Sequence, residues 1–278
     1  MEKLKVLIPT DFSVEAEYAY LMVKKLEEKM DVEIHFLHVM SVPDTVTLNQ
    51  SGNFETCGDI SIKHLEQQKD IADRKLANLK TIYGQNINTH FLAGKLTESI
   101  LLYSEKESFD LIVMGTKGAW GISEKISGSE TQMIARKSKI PLLSLMCDRS
   151  DLVIQKILMV HNFDEPIKND LTLLKKFVFA FQTELHFLQI LNNDDESQKE
   201  QIELNMKNFA KEHNISNFEC HVIKDVDVEN GVIHFNQKLN MDLICIGTHG
   251  KGGLFHSSAT AKLINHLFKP IISFHINN

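Results

Sequence analysis

The chain has 278 residues, a length that points to about two domains. Lys and Arg number 30 against 37 Asp and Glu, a formal charge of −7, which argues against a nucleic-acid backbone or an anionic membrane surface as partner. With 43% hydrophobic and 24% charged residues the composition is that of a globular protein, not a disordered one, and no apolar run reaches the ~18 residues of a membrane helix.

In chain order, short continuous apolar runs at 4–9, 32–39, 87–92, 110–114 and 140–146 read as strands buried on both faces of a parallel sheet. Between them, 14–30, 61–83, 96–107 and 129–138 carry the spacing of amphipathic helices. In the second of these, Leu65, Ile71, Leu76, Leu79 and Ile82 fall broadly on one face. After a short charged link at 148–151, further strands are expected near 154–160, 184–191, 218–223, 241–246 and 270–275. The Leu- and Phe-rich stretch 171–181 reads as a core helix, not a membrane anchor. Such alternation calls for right-handed crossovers and helices on both faces of the sheet. The expected fold is α/β: two doubly wound domains in tandem, 1–147 and 152–278, with enough chain for two cores. Cys57, Cys147, Cys220 and Cys245 are scattered without a Cys-x-x-Cys pair, and no secretory leader opens the sequence, so a reduced, cytoplasmic protein is expected.

The halves repeat one another. Lys5-Val6-Leu7-Ile8-Pro9-Thr10-Asp11-Phe12 returns 151 positions later as Lys156-Ile157-Leu158-Met159-Val160-His161-Asn162-Phe163. The run Asp110 to Gly118 returns as Asp242 to Gly250 at an offset of 132, so the second copy is shorter by 151 − 132 = 19 residues. The missing piece is assigned to the polar stretch 41–59. Both copies end alike, in Lys139-Ile140-Pro141-Leu142-Leu143 and Lys269-Pro270-Ile271-Ile272.

Ligands of open parallel sheets bind beyond the carboxyl ends of the strands, where strand order reverses. The loop after the fourth strand, Gly115-Thr116-Lys117-Gly118-Ala119-Trp120-Gly121, is followed by Gly128-Ser129 before a helix. Its spacing suits either a backbone cradle for phosphates or a glycine-rich connector with Ser129 as helix cap. A Walker loop, a Gly-x-Gly-x-x-Gly run and a nucleophile elbow are all absent. His35 and His38, three apart on a strand, point to opposite faces, and His249 and His256 lack supporting ligands, so neither pair suggests a metal.

Gly115-x2-Gly118-x9-Gly128-Ser129 resembles the nucleotide-binding signature of the universal stress protein family, as do the opening Val6 to Ser13 and Leu37-His38-Val39. The resemblance spans both halves. It implies five-stranded sheets of order 3-2-1-4-5 and, in many members, bound ATP. By that resemblance Asp11 lies near the adenosine end or its metal, main-chain groups of Val39 meet the adenine edge, Gly115 and Gly118 flank the ribose and α-phosphate, and Gly128 with Ser129 holds the outer phosphates. Pro9, Thr10, Met114, Lys117, Glu130 and Thr131 complete the candidate site. Alternatively, Asp11 only caps the first helix. Glu130 departs from the family pattern, placing a carboxylate beside a polyanion. In the second copy Asn162 replaces Asp11, Asp164 replaces Ser13, and Thr260-Ala261 is taken to stand for Gly128-Ser129. The expectation is ATP, with or without Mg, in the first domain and none in the second. The function expected is that of a stress-response regulatory protein, with a slow ATPase or phosphotransfer enzyme and a nucleotide-free interaction module as alternatives. The resemblance also implies that the last strands of the halves pair as an intramolecular pseudo-dimer, with a homodimer as a further possibility.

Overall fold

The structure, a computed structural model, describes residues 3–49, 51–57, 61–117, 130–163, 171–192, 196–249 and 254–276, the side chains of 248, 249, 254–258, 275 and 276 excepted. The first half runs β1 (Leu4–Pro9), α1 (Val14–Glu27), β2 (Val32–Ser41), β3 (Val46–Leu48), β4 (Phe54–Thr56), α2 (Ile62–Tyr83), β5 (Asn88–Gly94), α3 (Leu96–Lys106), β6 (Leu111–Gly115), α4 (Glu130–Lys137) and β7 (Leu142–Leu145). The second runs β8 (Lys156–Val160), α5 (Thr172–Phe181), β9 (Glu184–Leu191), α6 (Glu196–Glu212), β10 (Phe218–Lys224), α7 (Val228–Leu239), β11 (Leu243–His249), α8 (Leu254–His266) and β12 (Ile271–Ile276).

One ten-stranded sheet carries both halves, in the order β10-β9-β8-β11-β12-β7-β6-β1-β2-β5. Within each half the main strands lie in the order 3-2-1-4-5 and run parallel. The halves meet where β12 pairs antiparallel with β7, Ile272 opposite Leu143. That junction has a local twofold character: Ser144 Oγ donates to the Ile271 carbonyl and Ser273 Oγ to the Leu142 carbonyl. The expected pairing of last strands is therefore present inside one chain.

The two large apolar clusters lie on opposite faces of the sheet, and each draws residues from both halves. One joins Met22 and Leu26 of α1 to Phe177 of α5 and Met206 of α6; the other joins Ile100 of α3 and Ile134 of α4 to Val232 of α7 and Leu263 of α8. Continuous pairing through β7 and β12 carries the sheet across the junction of the halves, so each layer of helices packs on a shared surface. The segment absent from the second copy forms the β3–β4 hairpin, with its own small cluster of Val42, Val46, Phe54 and Leu65. In the second half β9 passes to α6 without it.

Local sequence explains the elements that frame the site. Ser13 caps α1, its hydroxyl accepting the Ala16 N–H, with Glu15 and Glu17 in the first turn and Lys24 and Lys25 in the last, matching the helix dipole. The buried face of α2 is set by Leu65, Ala72 and Leu76, while Ile71 and Ile82 are 44% and 61% exposed. A step of one residue rotates a side chain about 100° around a helix, which carries Ile71 off the stripe that Ala72 occupies. In α5, Leu174 and Phe177 are buried and Phe179 faces out. Among the described residues, no helix is long and apolar enough to cross a membrane.

Candidate functional site

At the carboxyl ends of β1 and β6, where the strand order reverses, the chain leaves a cleft of about 300 Å³. Pro9, Thr10 and Asp11 form one wall; Met114, Gly115 and Lys117 form another; Glu130 and Thr131, the first residues of α4, close a third side. Val39 lines the floor. Pairing of β1 with β2 stops at Pro9 opposite Leu37, whereas β2 runs on to Ser41 beside β5, so β2 passes Val39 into the cleft with no β1 neighbour. Gly118, Trp120, Lys125, Gly128 and Ser129 lie outside the described residues, as do Asp164, Gly250, Lys251 and Gly253.

The loop leaving β1 is tightly held. Phe12 sits in the left-handed region at φ 65°, an uncommon conformation for a bulky residue. Its N–H donates to Thr10 Oγ1 at 2.9 Å, and its ring lies on His38 with Lys75 Nζ 5.0 Å from its centroid. His38 Nδ1 is 2.7 Å from the Thr10 carbonyl oxygen. Asp11 Oδ1 accepts the Ser13 N–H at 2.9 Å. Asp11 thus closes a turn just before the helix, and the cap itself is Ser13, not Asp11. Burial pushes the Asp11 carboxyl up, but the Ser13 hydroxyl and N–H, its own N–H and the Lys117 charge outweigh that and leave it below its ordinary value.

Gly115 has a structural reason unrelated to any ligand. A Cβ built there would meet the Glu15 carbonyl oxygen at 2.0 Å, so this glycine lets the end of β6 approach the first turn of α1. Glu130 lines the cleft, yet its carboxylate accepts a hydrogen bond from the Thr97 hydroxyl at the start of α3. That contact holds the departing residue toward α3. His38, Ser13, Thr116, Leu96 and Ile100 also line the cleft and were not singled out from sequence; the Leu37-His38-Val39 run was the available signal for His38.

The matching turn of the second half carries different hydrogen bonds among its described residues. Gln189, 151 positions after His38, donates from Nε2 to Asn162 Oδ1 at 3.1 Å and accepts the Phe163 N–H at 2.8 Å. His161 and Gln189 are buried there, at 3% and 5% exposure. The assignment of Thr260-Ala261 to the place of Gly128-Ser129 is corrected by the helices. Both residues lie within α8, are buried, and the Ala261 carbonyl accepts a 2.7 Å hydrogen bond from Gln132 Nε2. From β7 to β12 the offset is 271 − 142 = 129, which matches Thr260 with Thr131 and Ile134 with Leu263, all buried. On that offset Ser257-Ser258 correspond to Gly128-Ser129.

His35 and His38 do face opposite ways, as expected: His35 Nδ1 lies 2.9 Å from His90 Nε2 on β5, with the rings stacked, while His38 meets Phe12. All four cysteines are free thiols, and burial pushes Cys245 up to about 12.

The model of the universal stress protein family matches residues 4–145, just over half of the chain. Universal stress protein MJ0531 of Methanocaldococcus jannaschii is 28% identical over 139 residues, covering 50% of this chain and 79% of that one. Universal stress protein MJ0577 of the same organism is 28% identical over 149 residues, covering 50% and 92%. A universal stress protein from Archaeoglobus fulgidus superposes along 99% of this chain and 97% of its own with a TM-score of 0.74 at 19% identity, a likeness of fold.

Proposed function

The chain belongs to the universal stress protein family, and from that premise we propose that its first half is a regulatory module that binds an adenine nucleotide, ATP foremost, while its second half, divided from it at 147–152, is structural. The observation that supports this reading most is convergence. Of the twelve residues that the sequence nominates, the nine described, from Pro9 to Thr131, all line one cleft at the switch point. Val39 offers main chain where β1 has ended, suited to the edge of a base. The α4 end at Glu130 and Thr131 presents amide groups to an anion. Asp11, Glu15 and Glu130 bring three carboxylates against Lys117, so a polyphosphate enters best with a divalent cation, and Mg–ATP is the preferred form.

Calorimetric titration of the full chain with Mg–ATP tests the reading. One equivalent is expected, with Lys117→Ala weakening it about tenfold, the loss of one charge-assisted contact. No heat and no nucleotide released from freshly purified protein would defeat it, and two equivalents would defeat the structural role given to the second half. The strands that would join two chains, β7 and β12, already pair inside this one. A further homodimer formed by strand pairing would use the outer edges of the ten-stranded sheet, β5 and β10, and light scattering showing a monomer would remove it.

A further inference from the structure

On the far edge of the sheet, β9 and β10 bring three ligand-type atoms together. Glu219 stands opposite His186 in the parallel register, and His221, two residues on, points to the same face. His186 Nδ1 is 3.0 Å from His221 Nε2 and 3.5 Å from Glu219 Oε2, and His221 Nε2 is 3.4 Å from that oxygen. Around a tetrahedral ion with bonds of about 2.0–2.1 Å, neighbouring ligand atoms lie about 3.3–3.4 Å apart, so the triangle needs little movement to hold one.

The surroundings fit the same reading. His186 is 2% exposed, and its other nitrogen, Nε2, is buried without a hydrogen bond, 3.4 Å from Glu184 Oε2. A proton on Nε2, on the side of Glu184, leaves Nδ1 with a bare lone pair, and a small turn of the Glu184 carboxylate would make it the orienting partner of a metal-bound imidazole. The proton between the two rings then belongs to His221 Nε2; an ion displaces it, and His221 takes the tautomer protonated on Nδ1. Phe235 of α7 meets the His221 ring edge-on at 4.8 Å, while Glu219 is half-exposed and leaves one side open to water.

The first half supplies an internal reference. His35 and His90 occupy the same register, with Glu33 Oε1 2.7 Å from His35 Nε2, but the residue opposite His35 is Asn88. Its amide nitrogen lies 3.3 Å from His35 Nε2, on the ring edge away from His90, and brings no charge. Both halves keep the histidine pair with a glutamate beside it, bonded in the first half and 3.4 Å away in the second; the second adds the anionic third ligand.

We propose that His186, His221 and Glu219 bind one divalent transition-metal ion of the zinc class, with water completing the coordination, and that the ion fastens the edge strand β10 to β9. Two imidazoles and one carboxylate are a donor set suited to such ions and not to Mg or Ca, which take oxygen ligands. The site is independent of the nucleotide cleft, so its test is run without nucleotide. Full-length protein, stripped with chelator, is titrated with Co²⁺ and followed by its visible ligand-field bands, then displaced with Zn²⁺. One equivalent is expected. Glu219→Asn, which reproduces the first half's residue at a half-exposed position, should lose the bands and weaken Zn²⁺ at least tenfold. Asn88→Glu should raise the stoichiometry to two. Wild-type protein without a stoichiometric band, Glu219→Asn protein that keeps it, or Asn88→Glu protein that stays at one equivalent overturns the proposal.

Discussion

At the end of β1 the chain turns through Thr10, Asp11 and Phe12 and leaves a cleft beside β6; at the end of β8 the matching positions hold Asn162 and Gln189, bonded to one another. Near the outer edges the contrast reverses. There the first half closes a neutral pair with Asn88, and the second sets a carboxylate beside the two imidazoles. The halves share strand order, strand register and the faces that each helix buries, all fixed by apolar positions. Their sites rest on a few polar positions at strand ends and on the edge strands, which the core does not constrain. A fold kept in duplicate can thus carry two unlike sites without cost to packing.

The strongest way to break this comparison is at the junction. Ile272 sits between Cys245 of β11 and Leu143 of β7, at the centre of the ten-stranded sheet. Ile272→Pro removes a ladder donor where proline is not tolerated, and both halves should unfold in one step. Fluorescence of Trp120, which belongs to the first half, and far-ultraviolet dichroism of the whole chain should then move together in a denaturant titration. A Trp120 transition unaltered by the substitution would show that the halves stand independently.

Smaller effects separate the halves by their glycines. Gly115→Ala drives a Cβ into the rigid backbone of Glu15 and should cost about 3 kcal/mol in chemical denaturation. Gly231→Ala, inside α7, meets Ile190 Cγ1 at 2.7 Å and Cγ2 at 3.0 Å, so rotating that β-branched side chain does not clear the contact, but no backbone is struck and helix propensity offsets part of the cost. Its net loss should be about 1–2 kcal/mol, smaller than at Gly115. Equal losses would contradict the contrast.

The smallest expected effect is shared by both halves. Burial holds His35, His90 and His221 below the ordinary histidine value, with the facing ring adding to it for His90 and His221, while Glu33 opposes it for His35. Each binds a proton less readily folded than unfolded. As pH falls through the unfolded value of about 6.5, the unfolded chain takes up protons first, so stability present above that pH is lost until the folded values are passed. Thermal midpoints should decline between pH 7 and pH 5, and His90→Gln or His221→Gln should each flatten the slope. A midpoint that holds steady over that range would contradict the assignment.

Much of this arrangement was legible before any coordinates. Strands buried on both faces leave unbroken apolar runs, so every main strand and the two registers of the repeat could be read, including the extra piece that forms β3 and β4. Helix faces were less secure, because Ile71 is as apolar as Leu76 and only packing shows that Ala72 takes the buried place. The cleft could be located from Asp11 and the Gly115 loop, but not the role of Gly115, which depends on a neighbour 100 residues away. The histidine pairs were missed for the same reason. On its own strand His35 faces away from His38, whereas its partner, His90, lies across a ladder. The signal was present: Glu33-x-His35 and Glu184-x-His186 recur at 151, and His90 and His221 at 131. The shift from 132 to 129 before the last strand was also visible, in Pro141 against Pro270, and would have placed Thr260 correctly.

The antiparallel seam between β7 and β12 has a consequence for how such a protein varies. When two identical subunits associate, every substitution is made twice, and an alteration that suits one copy is imposed on its mate. Covalent fusion across the seam lifts that restriction. A glutamate can be tried in one place while an asparagine is retained in its counterpart, and the molecule keeps the geometry of a symmetric pair while being free of its obligation to be symmetric.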